Sequence, residues 1–325
     1  MDKILLLDTS VASANKGDDI IMECCRKELE PLLKDNFTLT LPTHVSPFHW
    51  YQVMRNSLAV QRYAECKHKF ACGTNLLVPH LLTHYPQWNI NVFNYQPLKG
   101  TVLLGVGAGQ GAEGKIEKYT KYIYSRLLNK ELFHSTRDER SKEYVERLGL
   151  KAINTGCVTM WMLTPEHCSQ IPITKADQVV FTLTAGDRGR DVDQKLIDLL
   201  SARYATISFW PQGDNDFDYL QSLRLPKKLR IIPATKEAYD KFLTENDTDY
   251  VGTRLHGGVY ALRHKRRSII ISIDERASAI NKDTNIVCVK KGDIEAIDNL
   301  ITSEFLTKIN MPFSEIKRWK AQFGI

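Results

Sequence analysis

The chain has 325 residues, enough for about two domains, and is 43% apolar and 25% charged. Those proportions are ordinary for a folded globular protein and exclude a disordered tail, a collagen-like chain and a disulfide miniprotein. Forty-four Lys and Arg against 38 Asp and Glu leave a net charge of +6. That surplus suits an anionic small molecule or a membrane surface. With no long basic run interleaved with aromatics, it points to no nucleic acid.

No apolar run reaches the roughly 18 residues that cross a bilayer, so no membrane span is expected. The opening Met1–Asp8 is too short an apolar run for a signal peptide and reads as a first buried strand. The seven cysteines are scattered, odd in number and without a C-x-x-C pair. They read as reduced, mostly buried thiols of a cytoplasmic protein. His44, His49, His68, His80, His84 and His167 show no metal-ligand spacing, and no metal site is expected.

Strands are expected at Lys3–Asp8, Phe37–Leu41, Lys69–Cys72, Asn91–Phe93 and Thr101–Val106, with helices over Asp18–Leu33, Trp50–Ala64 and Ile116–Leu128. Leu132–Thr136 is strand-like. Asp138 can cap a helix reaching about Leu148, because an Asp there accepts the orphan N–H groups of a first turn. Thr164–Ala176, with two prolines and little periodicity, reads as a linker. Beyond it, Val179–Thr184, Ala205–Trp210, Leu229–Pro233, Ser268–Ile273 and Ile286–Val289 are apolar and rich in β-branched residues. Helical patterns separate them at Val192–Arg203, Asp216–Leu223, Lys236–Glu245, Gly257–Arg263 and Glu275–Asn281. Such alternation signals a parallel sheet covered on both faces.

The expected fold class is therefore α/β, with two Rossmann-like doubly wound domains meeting across a cleft. The N-terminal domain is placed at 1–155 and the C-terminal one at 175–305. A last segment, 306–325, carries an amphipathic helix that either packs back on a domain or lies on a membrane surface. In such sheets ligands sit at the carboxyl ends of the strands, so residues that follow strands carry the information.

Thr9–Asp19 follows the first strand and leads into a helix, where free backbone N–H groups and the dipole suit a phosphate or a sugar hydroxyl. It is equally readable as a connection capped by Asp18. Gly105–Gly114 contains G-x-G-x-x-G at Gly109, Gly111 and Gly114, but too far beyond the strand for a tight turn and without an acidic partner at a strand end. A glycine loop lining the cleft fits better than a dinucleotide site. Cys72-Gly73-Thr74-Asn75 offers close backbone approach and an amide after a strand, or only a turn. Arg137, at a strand end, either grips a carboxylate or phosphate or pairs with Asp138 or Glu139.

Tyr250–Val259 is the most informative stretch. Arg254 and His256 stand at a strand end with Gly257 and Gly258 opening a helix. An arginine beside free helix-start N–H groups binds anions, and histidine is the side chain best placed to move a proton near neutral pH. The alternative is a capping histidine with a surface arginine. The run Arg263–Arg267 is either a solvated turn or a contact for a diphosphate or anionic membrane. Neither a G-x-S-x-G elbow nor a P-loop occurs.

Five motifs in register resemble the polysaccharide pyruvyl transferases: Asn15-x-Gly17-Asp18, Gly73-Thr74-Asn75, Gly105-Val106-Gly107, Thr136-Arg137-Asp138-Glu139-x-Ser141 with Leu148-Gly149, and Gly252-x-Arg254-Leu255-His256-Gly257. The resemblance implies two Rossmann-like domains in a GT-B-like arrangement, phosphoenolpyruvate as co-substrate with no other cofactor, and a sugar acceptor on a bacterial polysaccharide or its lipid-linked precursor. It implies donor binding by Arg137, Arg254, Leu255, His256 and Gly257, with His256, Arg254 and Arg137 catalytic. Acceptor candidates are Asn15, Gly17, Asp18, Gly73, Asn75 and Gly107, with Asp18 either a base or a cap. Gly156-Cys157-Val158 stands where many members carry an aspartate and a proline. A lipid-linked acceptor implies peripheral contact with the inner face of the plasma membrane, and a homo-oligomer is compatible with the sequence. The rival readings are a GT-B glycosyltransferase that uses a nucleotide sugar and a non-catalytic saccharide-binding member.

Overall fold

A computed structural model describes residues 1–83, 87–185, 189–273 and 281–325. His84 and all but the last residue of the helix expected at Glu275–Asn281 lie outside the described residues. The chain forms two compact units. One comprises Met1–Ser13, Ile21–Trp161 and Pro312–Ile325, the other Ala14–Ile20 and Met162–Met311.

In the first unit, β1 (Lys3–Asp8) is a continuous buried Ile-Leu-Leu-Leu run, as a strand covered on both faces requires. It lies between β2 (Phe37–Pro42) and β3 (His68–Cys72), and β4 (Val102–Leu104) follows β3, all parallel. Helix α1 (Gly17–Leu33) links β1 to β2, so the strand order reverses between β1 and β3. The carboxyl ends at Asp8 and Cys72 therefore flank the switch point where such sheets take ligands.

The expected helix Trp50–Ala64 is two short ones, α2 (Trp50–Met54) and α3 (Leu58–Ala64), broken where Asn56 takes φ 44°. Asn91–Phe93 is not a strand. Its backbone is satisfied locally, the Phe93 N–H by Asn91 Oδ1 and the Asn91 N–H by Asn94 Oδ1, which removes the need for a ladder. After α4 (Lys118–Leu127), the strand β5 (His134–Thr136) leads into α5 (Glu139–Arg147). Asp138 caps α5 through the Ser141 N–H, as expected. A strand not foreseen, β6 (Ala152–Asn154), pairs with β5 in parallel.

Side chains fill the seam between β4 and β5. The Leu103 N–H donates to His134 Nδ1 at 3.1 Å and the Gly105 N–H to Ser135 Oγ at 2.8 Å, while His134 Nε2 lies 2.8 Å from the Asn129 carbonyl. These partners fit only the neutral ring protonated on Nε2. Burial accordingly pulls the His134 pKa from 6.5 down to about 4, partly offset by the bond to Asn129. The unfolded chain takes up a proton below pH 6.5 that the native chain refuses until about pH 4. Stability is thus expected to be complete above pH 6.5 and to fall between 6.5 and 4 by as much as about 3 kcal/mol. Urea unfolding at pH 7 and pH 4.5 checks this, and His134→Gln should flatten that part of the pH dependence.

The last helix, which follows the second unit in sequence, packs on the first. In Phe313–Ala321 the buried Trp319 meets Phe70 edge-on at 6.0 Å and Trp161 at 6.1 Å, and Lys320 pairs with Glu28. Its aromatic residues are spent on the core and do not form an exposed membrane-facing stripe.

The supposed linker Thr164–Ala176 holds a helix, α6 (Pro165–Cys168), capped by Thr164. The second unit is then built on six parallel strands. These are β7 (Gln178–Thr182), β8 (Thr206–Phe209), β9 (Arg230–Ile231), β10 (Asp249–Gly252), β11 (Ser268–Ser272) and β12 (Cys288–Lys290). Their spatial order is β12-β11-β10-β7-β8-β9, the doubly wound order of a Rossmann sheet. Helices α7 (Arg190–Arg203), α8 (Asp216–Gln221), α9 (Lys236–Glu245), α10 (Leu255–Arg263) and α11 (Ile294–Thr302) connect and cover it. The order reverses between β7 and β10, which places the loop carrying Arg254 and His256 at the switch point.

Candidate functional site

In the second unit the candidate residues gather around the start of α10. Arg254 is its N-cap, and Leu255, His256 and Gly257 form its first turn. The position of Arg254 is fixed from below. The buried Tyr250 hydroxyl donates to the Arg254 carbonyl at 2.6 Å, and the Arg254 N–H reaches Thr182 Oγ1 at 3.2 Å. Tyr239 holds the Gly257 carbonyl at 3.0 Å. A Cβ on Gly258 would stand 2.7 Å from the Tyr250 ring, so the glycines let the helix settle on that tyrosine.

The Arg254 guanidinium is committed in bidentate fashion to Asp216, with Nε 2.9 Å from Oδ2 and Nη2 on Oδ1. Asp216 is fully buried and also accepts the N–H groups of Gly213 (2.7 Å) and Ala185 (3.1 Å). The pair is charge-balanced, and its two bonds use two of the five guanidinium donors. Asp216→Asn keeps the size but turns an acceptor into a donor facing other donors. It is expected to cost about 2–4 kcal/mol, less than a wholly buried pair because Arg254 is partly exposed. Urea unfolding reads the loss.

Asn15 and Gly17, although they follow β1 in sequence, cluster with this group. Asn15 Oδ1 accepts the Gly17 N–H at 2.9 Å and the Gln212 amide at 2.8 Å. The Lys16 N–H donates to the Gln212 carbonyl at 2.8 Å. A Cβ on Gly17 would stand 2.9 Å from Gln212 Nε2 and 3.1 Å from His256 Nδ1. A side chain here would crowd the Gln212 amide first and the imidazole next, so glycine leaves both in place. Asp18 lies buried in the first turn of α1, where its charge complements the helix dipole.

Gln212, Gly213 and Asp216 join this group although no motif in the sequence marks them as site residues. The one available signal was Trp210-Pro211-Gln212-Gly213, a proline–glycine turn directly after β8. Gln212 Oε1 is buried without a partner among the described residues, 3.2 Å from where a Gly257 Cβ would stand.

The first unit holds a second group. Buried Arg137, just after β5, donates from Nε to Asp138 Oδ2 at 3.2 Å and from Nη2 to Asn75 Oδ1. Its guanidinium lies flat on Gly107, where a Cβ would fall 2.4 Å from the Arg137 Cζ. The Gly107 N–H in turn donates to the Thr74 carbonyl at 2.8 Å. Gly73, at φ +61°, makes the turn after β3 that presents Asn75. Arg137 thus pairs with Asp138, the salt bridge that the sequence offered as one of its two readings, and also reaches the Asn75 amide.

These contacts link residues from both expected sets within each unit. Asn15 and Gly17 join His256, Arg254 and Leu255 in the second unit, while Arg137 joins Asn75, Gly73 and Gly107 in the first. The basic run Arg263–Arg267 is largely spent internally. Buried Arg267 pairs with Asp249 at 2.9 Å, Arg266 donates to the Leu243 carbonyl at 2.9 Å, and His264 lies 3.1 Å from Asp240. Among the described residues no group of three or more His, Cys, Asp or Glu could hold a metal ion, and no helix is long and apolar enough to cross a membrane.

Two Rossmann-like α/β units with polar loops at the carboxyl ends of their strands place the chain in the GT-B-like fold class. Solved structures agree on the fold. A UDP-GlcNAc 2-epimerase from Methanocaldococcus jannaschii is 12% identical with a TM-score of 0.55, covering 99% of each chain. The UDP-N-acetylglucosamine 2-epimerase from Rickettsia bellii is 11% identical with a TM-score of 0.52, over 99% of this chain and 95% of that one. MnaA from S. aureus, solved with UDP, is 8% identical with a TM-score of 0.52, over 93% and 88%. No curated protein matches the chain. Within this class, residues 15–275 match the model of the family described as polysaccharide pyruvyl transferase, and the chain belongs to that family.

Proposed function

We propose that the protein transfers the pyruvyl group of phosphoenolpyruvate to two hydroxyls of a sugar on a bacterial polysaccharide or its lipid-linked precursor, as a ketal. The observation that carries this reading is that the family match encloses a built site at the switch point of the second unit, with His256 against the Gly17 backbone and Arg254 held by Asp216.

The chemistry balances without a cofactor. A proton adds to C3 of phosphoenolpyruvate and converts the vinyl carbon to a methyl group. One sugar hydroxyl attacks C2, the C2–O bond to phosphate breaks, and the second hydroxyl closes the ketal. Of the two hydroxyl protons lost, one replaces that taken up at C3 and the other leaves with inorganic phosphate. His256 is assigned to proton transfer. Arg254 donors beyond the two that hold Asp216, together with the N–H groups opening α10, are assigned to donor anion charge. Leu255 and Gly257 supply backbone at that helix start. The unpartnered Gln212 Oε1 would accept a substrate hydroxyl or a bridging water. The Arg137, Asn75, Gly73 and Gly107 group is assigned to a second polar substrate contact, and Asn15, Gly17 and Asp18 to positioning beside His256.

Thermal unfolding with added ligand separates this reading from its rivals. Phosphoenolpyruvate should raise the melting temperature, and the shift should shrink in Arg254→Ala. A shift by UDP-sugars with none by phosphoenolpyruvate would favour a nucleotide-sugar glycosyltransferase instead.

A further inference from the structure

The first unit carries an apolar surface that the site does not use. Trp50, Met54 and Leu58 are 59%, 74% and 81% exposed, and Tyr51 and Phe93 are exposed beside them. Trp50 and Met54 are four residues apart on α2 and so share one helix face. Asn94 Nδ2 donates to Ser46 Oγ at 2.9 Å, which brings the turn bearing Phe93 beside the loop that opens α2. A groove lined by Val53, Val60, Ala64 and Pro97 ties α2 and α3 to the turn at Gln96–Leu98. Single exposed apolar residues are ordinary, but four large ones within the nine residues Trp50–Leu58 mark a contact surface.

Charge says what that contact is. Between Asn36 and Ala112 the sequence holds one acidic residue, Glu65, against Arg55, Arg62, Lys67, Lys69 and Lys99; of these, Lys69 is buried and Lys67 pairs with Asp2 at 2.6 Å, which leaves Arg55, Arg62 and Lys99 for the surface charge. Glu65 is itself paired with Lys3 at 3.0 Å. Exposed Arg55 and Arg62 stand on and beside α2 and α3, with Arg55 over the Tyr51 ring at 6.0 Å. Trp and Tyr favour the headgroup level of a bilayer, and Arg and Lys beside them are drawn to anionic lipid. A second copy of the chain fits less well. A twofold contact would set this acid-poor, basic face against itself, like charge against like.

We infer that this face, centred on Trp50, Tyr51, Met54, Leu58 and Phe93, docks onto an anionic lipid bilayer. The inference is independent of the chemistry assigned to His256. It also moves any membrane contact away from the C-terminal helix, whose Trp319 is buried.

The test uses the full chain with vesicles of phosphatidylcholine, with or without phosphatidylglycerol. Trp50 is a built-in reporter, because Trp88, Trp161, Trp210 and Trp319 are buried. The protein should sediment with anionic vesicles, less so at high salt, and its tryptophan emission should shift to the blue. Trp50→Phe should still sediment but lose the blue shift. The triple variant Trp50→Ser, Met54→Ser, Leu58→Ser should bind at least tenfold more weakly with its melting temperature unchanged. Failure of the wild type to sediment, equal binding by the triple variant, or a blue shift that survives Trp50→Phe overturns the inference. So does a wild-type dimer that the triple variant dissolves, since the face would then cover a second copy.

Discussion

His256→Ala is expected to lower kcat about 100- to 10,000-fold, the range that a positioned proton-transfer group contributes, while leaving the melting temperature close to wild type. The imidazole stands in the first turn of α10 with the Gly17 backbone against it, and its position depends on packing already in place beneath the helix. The Tyr250 hydroxyl holds the Arg254 carbonyl and Tyr239 holds that of Gly257. Removing the ring therefore leaves the helix seated. Phosphoenolpyruvate binding, read as a thermal shift, should change only a few-fold, because the donor's charge is met by Arg254 and backbone N–H groups. Wild-type turnover by His256→Ala would remove the proton-transfer role from this residue.

Arg267→Met is expected to destabilise the protein by roughly 3–5 kcal/mol, the cost of stranding one partner of a buried ion pair. Arg267 lies at the start of β11, fully buried. It holds Asp249 at 2.9 Å and donates to the carbonyls of Leu300 (2.6 Å) and Ser303 (2.8 Å). Asp249 also accepts the Tyr204 hydroxyl at 2.8 Å. Burial pushes the Asp249 carboxyl up, and the tyrosine and arginine pull it back only in part. Without the arginine, a buried carboxylate must be neutralised or solvated at the amino end of the interior strand β10. Arg267→Met with Asp249→Asn should recover part of the loss, because the stranded charge is gone. A double-mutant cycle in urea measures the coupling. Equal losses in the single and double variants would show that the carbonyl bonds of Arg267, and not its charge partner, carry its effect.

The contrast between these two residues shows what the sequence made legible. Arg267 sits in a five-residue basic run that reads as a solvated or anion-binding turn, and nothing local marks one member as interior. Its partner is 18 positions away and its carbonyl acceptors more than 30. Local signals fared better. The unbroken apolar run of β1, the Asp138 cap and the glycine-rich turn after β10 each act within a few residues and could be read directly. The seam between β4 and β5 could not, because strands of three residues are too short to show a period and side chains of His134 and Ser135 replace ladder bonds. The site was legible as separate motifs, but their grouping was not. Asn15 meets Gln212 across 197 positions, a pairing with no trace in spacing. Gln212 and Asp216 carry no motif and emerge only once β8 is placed beside β7.

The measurement that bears most directly on the account is inorganic phosphate released from phosphoenolpyruvate, with and without a galactose- or mannose-containing lipid-linked acceptor. Pyruvyl transfer predicts phosphate release that requires the acceptor, matched mole for mole by ketal on the sugar, and slowed about 100-fold or more in His256→Ala. Release that ignores the acceptor, or none with phosphoenolpyruvate across such acceptors while a UDP-sugar is consumed, would contradict it.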